Sequence, residues 1–323
     1  MQISEAKAAR LRRLATRDGV IAAMAIDQRK SLRMMIAGAA GVATEAVTDA
    51  QVLEFKSAVV RALTPYASAV LIDSEFGLGA FAERAPSCGL LTTYEMDGYE
   101  NTRPHRMLAL MPELSVRRMR DMGSDGVKIL LSYTPFDDAD WNDHKLAMIE
   151  RIGAECASLD MPFFLEPVGY DIDGLDVKGL EYAKRKPEIV LRTMEELSKD
   201  VYQVDILKVE FPINSAYLGE AYSREEALDW CRRVDAAARR PYIYLSAGVS
   251  AAQFREQLTL ASESGVRYSG VLCGRATWQD GVPVYAKQGR KELEEWLKVD
   301  GVANIQAVND CLRSATPWQN RLH

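Results

Sequence analysis

The segment DILKVEFP, residues 205–212, sets a lysine and a glutamate inside an otherwise apolar run. Read as a β-strand, its side chains alternate between two faces. Ile206, Lys208 and Glu210 then share one face, and Leu207 and Val209 share the other. If Leu207 and Val209 pack against helices, Lys208 points into the interior of a closed sheet. Seven further runs have the same apolar, β-prone character: VIAAMAID (20–27), SAVLIDSEFG (68–77), GLLTTYE (89–95), GVKILLSYT (126–134), PFFLEPVGY (162–170), YIYLSAG (242–248) and SGVLCGR (269–275). Between most of them lie stretches with apolar residues at helical intervals, at 49–67, 114–125, 144–160, 186–200, 223–238 and 251–265. The first has Thr48 or Asp49 as its cap, and the second stops at Gly123.

Eight strands alternating with helices predict a parallel α/β sheet, and eight closes a (β/α)8 TIM barrel. An open doubly wound sheet is the alternative, but no strand runs into a GxGxxG turn. The start, MQISEAKAARLRRLATRDG (1–19), reads as an N-terminal helix, and 291–315 as extra C-terminal helices. No Pro/Gly/Ser-rich linker divides the chain, so 1–323 reads as a single barrel domain. A helix is hard to see in 73–105, the 28–45 stretch reads as an Ala/Gly-rich loop, and 134–143 and 170–187 read as long loops.

Composition narrows the function. The 40 Lys and Arg against 46 Asp and Glu give a net charge of −6, which argues against a nucleic-acid partner. No apolar run approaches the roughly 18 residues of a membrane-spanning helix, and the charged start has no apolar core of a secretory signal. Five Cys, odd in number and without a CxxC, point to a reducing compartment, so the expected location is cytoplasmic. With only 3 His, none at a strand end, a catalytic zinc site is not expected. Cys273, inside the last strand, reads as a packing residue.

In a barrel, chemistry gathers where strands end. Asp27, followed by Gln28, Arg29 and Lys30, ends the first strand. Asp73 and Glu75 end the second. The fourth carries Lys128, Ser132 and Tyr133, the fifth Glu166, and the sixth Lys208 and Glu210. Ser246-Ala-Gly248 and Gly274-Arg275 end the last two, where many barrels bind phosphate. There small residues let backbone N–H groups approach an oxyanion and Arg adds a charged fork. A lysine in a barrel interior is costly as an isolated charge. Two lysines and a low dielectric favour one neutral amine, the species that attacks a carbonyl to form a Schiff base. The plainer reading is a structural ion pair of Lys208 with Glu166 or Glu210.

AIDQRKSL (25–32), GVKILLSY (126–133), FFLEPVGYD (163–171), DILKVEFP (205–212), YLSAGVSAAQF (244–254) and GVLCGRATWQDGV (270–282) together resemble the class I tagatose 1,6-bisphosphate aldolase family of the lactose pathway. The resemblance runs in order from near residue 7 to about 290. It implies a metal-free barrel enzyme with no cofactor and a phosphorylated ketose as substrate. By the resemblance, Lys208 is the Schiff-base lysine and Glu166 the general acid/base. Lys128 lies beside Lys208 and helps depress its pKa. Asp27 and Gln28 are sugar-hydroxyl ligands. Ser246, Gly248, Gly274 and Arg275 hold the 1-phosphate, and Arg29 is a candidate for the second phosphate. The expected products are dihydroxyacetone phosphate and glyceraldehyde 3-phosphate. Two other readings stand beside it: a related class I aldolase for 6-deoxy-6-sulfofructose 1-phosphate, differing where the C6 anion sits, and a non-catalytic phosphosugar-binding regulator on the same barrel. The C-terminal helices could cover the barrel or build an interface, and a homodimer is the expected assembly.

Overall fold

The structure is a computed structural model and describes residues 3–322. Its eight parallel strands are β1 (Ile21–Ile26), β2 (Ala69–Ile72), β3 (Gly89–Thr93), β4 (Gly126–Ser132), β5 (Phe163–Val168), β6 (Ile206–Val209), β7 (Tyr242–Leu245) and β8 (Gly270–Cys273). They pair in chain order and close with β1 against β8, where Ile21 faces Gly270 and Met24 faces Cys273. The fold is the TIM barrel read from the sequence, and each strand falls inside its quoted run.

The chain enters through α1 (Glu5–Arg13); α2 (Lys30–Ala40) and α3 (Asp49–Leu63) follow β1. Between β2 and β3 runs a 3₁₀ stretch, Leu78–Glu83. After β3 come one turn, α4 (Tyr99–Thr102), and α5 (Val116–Asp121). Then α6 (Ala139–Ser158), α7 (Leu180–Leu197), α8 (Arg224–Ala237) and α9 (Ala251–Ser264) follow β4, β5, β6 and β7 in turn. The chain ends with α10 (Arg275–Trp278), α11 (Gly281–Gln288), α12 (Arg290–Trp296) and α13 (Val302–Asp310). Among the described residues no helix is long and apolar enough to cross a membrane.

Side-chain chemistry explains where several helices begin. Thr48 with Gln51, Ser223 with Glu226 and Ser250 with Gln253 form reciprocal capping boxes that satisfy the first N–H groups of α3, α8 and α9. Three expectations are corrected. The 28–45 stretch is not a loop: it holds α2, which ends at the left-handed Gly41. Helix α6 starts at Ala139 rather than near 144, because Asp138 caps a polar first turn that carries no apolar periodicity. Helix α7 starts at Leu180 rather than 186 and holds Pro187 inside it, with Tyr182 and Ala183 already buried upstream.

Alternation sorts the strand residues. Ile21, Ala23, Ala25, Ala69, Leu71, Leu91, Phe164, Ile206, Ile243 and Leu272 fill the barrel, with Ala8, Leu11 and Leu14 from the N-terminal segment and Trp318. Leu207 and Val209 pack outward, as read from DILKVEFP. Polar contacts fix the N-terminal end. Lys7 reaches Asp205 at 3.0 Å, Asp205 accepts the Phe163 N–H at 2.8 Å, and Arg321 reaches Asp235 at 2.6 Å.

Candidate active site

Strand register brings the inward polar residues together. In β4 and β5, Leu130 pairs with Glu166 and Lys128 with Phe164; in β5 and β6, Leu165 pairs with Leu207. Lys128, Glu166 and Lys208 therefore rise from three neighbouring strands into one space. Lys208 Nζ lies 2.7 Å from Glu166 Oε1, and Lys128 Nζ lies 2.8 Å from Glu166 Oε2. One carboxylate bridges two ammonium groups, and the three side chains are 6%, 8% and 1% exposed for Lys208, Glu166 and Lys128.

Lys128 has two further partners, Glu95 Oε1 at 2.8 Å and Asp27 Oδ2 at 3.3 Å. The two lysines thus have unequal surroundings: three carboxylates on Lys128 and one on Lys208. Burial works against the Lys128 ammonium, but Glu166, Glu95 and Asp27 outweigh it and push its pKa well up. For Glu166, burial favours the neutral acid, yet Lys128 and then Lys208 bring its pKa below the ordinary value. Asp27 follows the same logic: burial raises it, and Lys128, Lys208, Arg29 and Lys56 carry it down to about 2.

A cavity of about 300 Å³ opens at the C-terminal mouth, and Asp27, Gln28, Arg29, Lys128, Glu166, Lys208 and Arg275 all line it. Gly248 and Gly274 explain how the last two loops come close. Gly248 has φ 74°, and a Cβ there would sit 2.5 Å from the Arg275 guanidinium carbon. The Arg275 fork therefore lies flat on the Gly248 backbone. A Cβ on Gly274 would meet Ala25 O at 2.8 Å, so β8 can approach the end of β1 only with glycine there. Ser246 is buried beside Cys273. Burial pushes the Cys273 thiol up to about 12, with Ser246 acting the other way, which favours the neutral thiol.

One sequence expectation does not hold. Glu210 makes no pair with Lys208. β6 ends at Val209, the alternation lapses, and Glu210 turns to Lys186 at 3.2 Å and to the Gly169 N–H at 2.8 Å. Arg29, the candidate for the second phosphate, lines the cavity and is buried, with Nη2 donating to Glu95 O at 3.0 Å and Nη1 3.7 Å from Glu75. Asp73 is engaged by Lys56 of α3 rather than by the cavity, and it accepts the Glu75 and Phe76 N–H groups at 3.1 and 2.7 Å. The Lys56 ammonium also donates to Ile26 O at 3.0 Å, directly before Asp27. Sequence reading missed Glu95. The signal was present: it stands in phase with the inward Leu91, four residues further along GLLTTYE.

The sequence pattern of the family described as DeoC/LacD family aldolase matches residues 21–280, the whole span from β1 through β8. The chain belongs to this family. It is an aldolase. It is 46% identical over 325 residues to the tagatose 1,6-diphosphate aldolase of Listeria monocytogenes serotype 4a, covering 98% of this chain and 95% of that one. It is 43% identical to tagatose 1,6-diphosphate aldolase 2 of Enterococcus faecalis, over 100% of this chain and 98% of that one. The Staphylococcus aureus tagatose 1,6-diphosphate aldolase is also 43% identical, over 99% and 100%. Among solved structures, a Schiff-base-forming fructose-1,6-bisphosphate aldolase superposes with a TM-score of 0.54 at 14% identity, covering 91% of this aldolase and 99% of that chain. That likeness concerns the barrel alone.

Proposed function

We propose that this aldolase is a class I enzyme that cleaves a phosphorylated ketose, D-tagatose 1,6-bisphosphate, through an imine on Lys208. The observation that carries the reading is the carboxylate of Glu166 set between the two amines, 2.7 Å from Lys208 and 2.8 Å from Lys128. It gives a nucleophile, a proton carrier in contact with it, and a fixed cation behind the carrier. The names of the relatives supply the substrate.

Glu166 takes a proton from the Lys208 ammonium, and the neutral amine adds to the C2 carbonyl. Glu166 returns that proton to the carbinolamine hydroxyl, water leaves, and a protonated imine remains. Glu166, again a carboxylate, takes the C4 hydroxyl proton. The C3–C4 bond breaks and its electron pair moves into the imine, giving an enamine. Glyceraldehyde 3-phosphate departs, Glu166 protonates C3, and hydrolysis frees dihydroxyacetone phosphate and Lys208. Lys128 holds Glu166 and the substrate hydroxyls. Asp27, ionised down to about pH 2, accepts hydrogen bonds from the hydroxyls together with Gln28. Ser246, Gly248, Gly274 and Arg275 hold the 1-phosphate.

Two variants test the parts. Glu166→Gln keeps the shape and removes the proton carrier, so kcat should fall by about 10²–10⁴-fold with substrate still bound. An unchanged kcat would remove Glu166 from the proton path. Gly248→Ala drives a methyl into the Arg275 fork, and KM should rise about tenfold, equivalent to about 1.4 kcal/mol of binding, with kcat less affected. A KM unmoved by the methyl would place the 1-phosphate elsewhere.

A further inference from the structure

We propose that Asp97 is an internal competitor for the distal anion of the substrate, and that it sets how strongly this aldolase prefers a bisphosphate over a 1-phosphate. The inference rests on the aldolase reading above and adds the residue that governs the far end of the substrate. It starts from the N-terminus of α2. That helix of 11 residues has Arg29 at its cap position, makes no side-chain cap bond of its own, and carries no acidic residue in its first turn. A helix start with that composition lacks the anion its free N–H groups and dipole favour. The anion comes instead from a distant part of the chain. Asp97 Oδ2, on the loop after β3, accepts the Lys30 N–H at 2.8 Å. The Arg33 N–H bonds to Arg29 O, which leaves the Ser31 and Leu32 N–H groups without an acceptor among the described residues.

This capped helix start belongs to the cavity wall, since Arg29, Ser31 and Asp97 all line the cavity that holds Lys208. A second observation points to an anion at the same place. Arg29 is 4% exposed, and its Nε is buried without a hydrogen-bond partner. An arginine with an unused donor beside a helix N-terminus makes a receptor for a phosphate or sulfonate group. Asp97 occupies part of that receptor. Its carboxylate is exposed, so giving up the Lys30 N–H costs little, because water takes over as partner. The location suits the distal end. Arg275, Gly248 and Ser246 follow β7 and β8, whereas Asp97 follows β3 and meets the start of α2, which follows β1. With the 1-phosphate on Arg275 and C2 at Lys208, the far end of the substrate stays in this same cavity, whose remaining wall includes Arg29, Ser31 and Asp97.

The test compares tagatose 1,6-bisphosphate with tagatose 1-phosphate, which differ only in the distal group. The quantity read is the KM for the 1-phosphate divided by the KM for the bisphosphate. In Asp97→Asn, and equally in Asp97→Ser, which keeps a capping oxygen, this ratio should rise about fivefold. Glu100→Gln removes the same charge from the same wall without touching α2, and its ratio should stay within about twofold. A ratio that falls or does not move in the Asp97 variants overturns the proposal. A rise of equal size in Glu100→Gln also overturns it, by reducing Asp97 to a diffuse field effect. Borohydride trapping with dihydroxyacetone phosphate, which lacks the distal anion, separates the two levels. An adduct on Lys208 with an unmoved ratio removes only the Asp97 proposal. No adduct in the wild type removes both.

Discussion

Lys208→Ala is expected to lose at least about 10⁴-fold in kcat/KM, the scale on which enzymes fail when a covalent nucleophile is deleted. Lys208 is the inward residue of β6 beyond Ile206, and Glu166 is its ion-pair partner. Alanine removes both the amine and the second charge on Glu166. Glu166 keeps Lys128 at 2.8 Å, so the carboxylate is not stranded and the barrel should remain folded. The loss should therefore appear in turnover, with the thermal midpoint close to that of the wild type. Retention of activity within about tenfold would show that the imine forms elsewhere or not at all.

Lys128→Met is expected to act on both folding and catalysis. The side chain is 1% exposed and is the shared counter-ion of Glu166, Glu95 and Asp27. Removing it leaves three carboxylates in a buried site with Lys208, Arg29 and Lys56 as the remaining cations. Stranding buried charge in this way costs about 3–5 kcal/mol, and the loss of an oriented cation at the reacting groups adds a fall of about 10²-fold or more in kcat. The pH dependence has a definite sign. In the wild type, Asp27 titrates at about 2, below its unfolded value near 3.9, so its contribution is complete above that unfolded value and is lost only as pH falls through about 2. In the variant, burial acts with less cation to oppose it, and Asp27 and Glu166 are expected to titrate above their unfolded values. A raised carboxylate pKa means the folded state takes up protons, so the variant gains stability as pH falls from about 7 toward about 4. The stability gap between the two proteins should narrow over that window in denaturant titrations. A gap that stays constant would mean that Lys128 does not hold these carboxylates ionised.

The barrel was readable because its strands are apolar on both faces and its helices are amphipathic, and these patterns are local. Alternation alone placed Lys208, Glu166 and Lys128 on the interior. What was not local was harder to read. Glu95 is in phase with Leu91, but it lies beyond the last residue of β3, where strand periodicity carries no guarantee. Glu210 occupies the equivalent place after β6 and turns the other way, toward Lys186. Two glutamates with the same signal thus have opposite outcomes, decided by the loop each one enters. Helix α2 hid behind its Ala and Gly content, since Ala is a strong helix former and Gly38 costs only about 1 kcal/mol. The partners of Arg29 and the Lys56–Asp73 pair needed tertiary contacts that no spacing along the chain reports.

Borohydride reduction with dihydroxyacetone phosphate in the presence of EDTA, followed by peptide mass spectrometry, tests the imine on Lys208 directly. A ligand-dependent adduct is expected on Lys208 and none on Lys128, because Lys128 is held as a cation by three carboxylates. An adduct confined to Lys128, or no adduct on a folded protein that still binds the ligand, would contradict it.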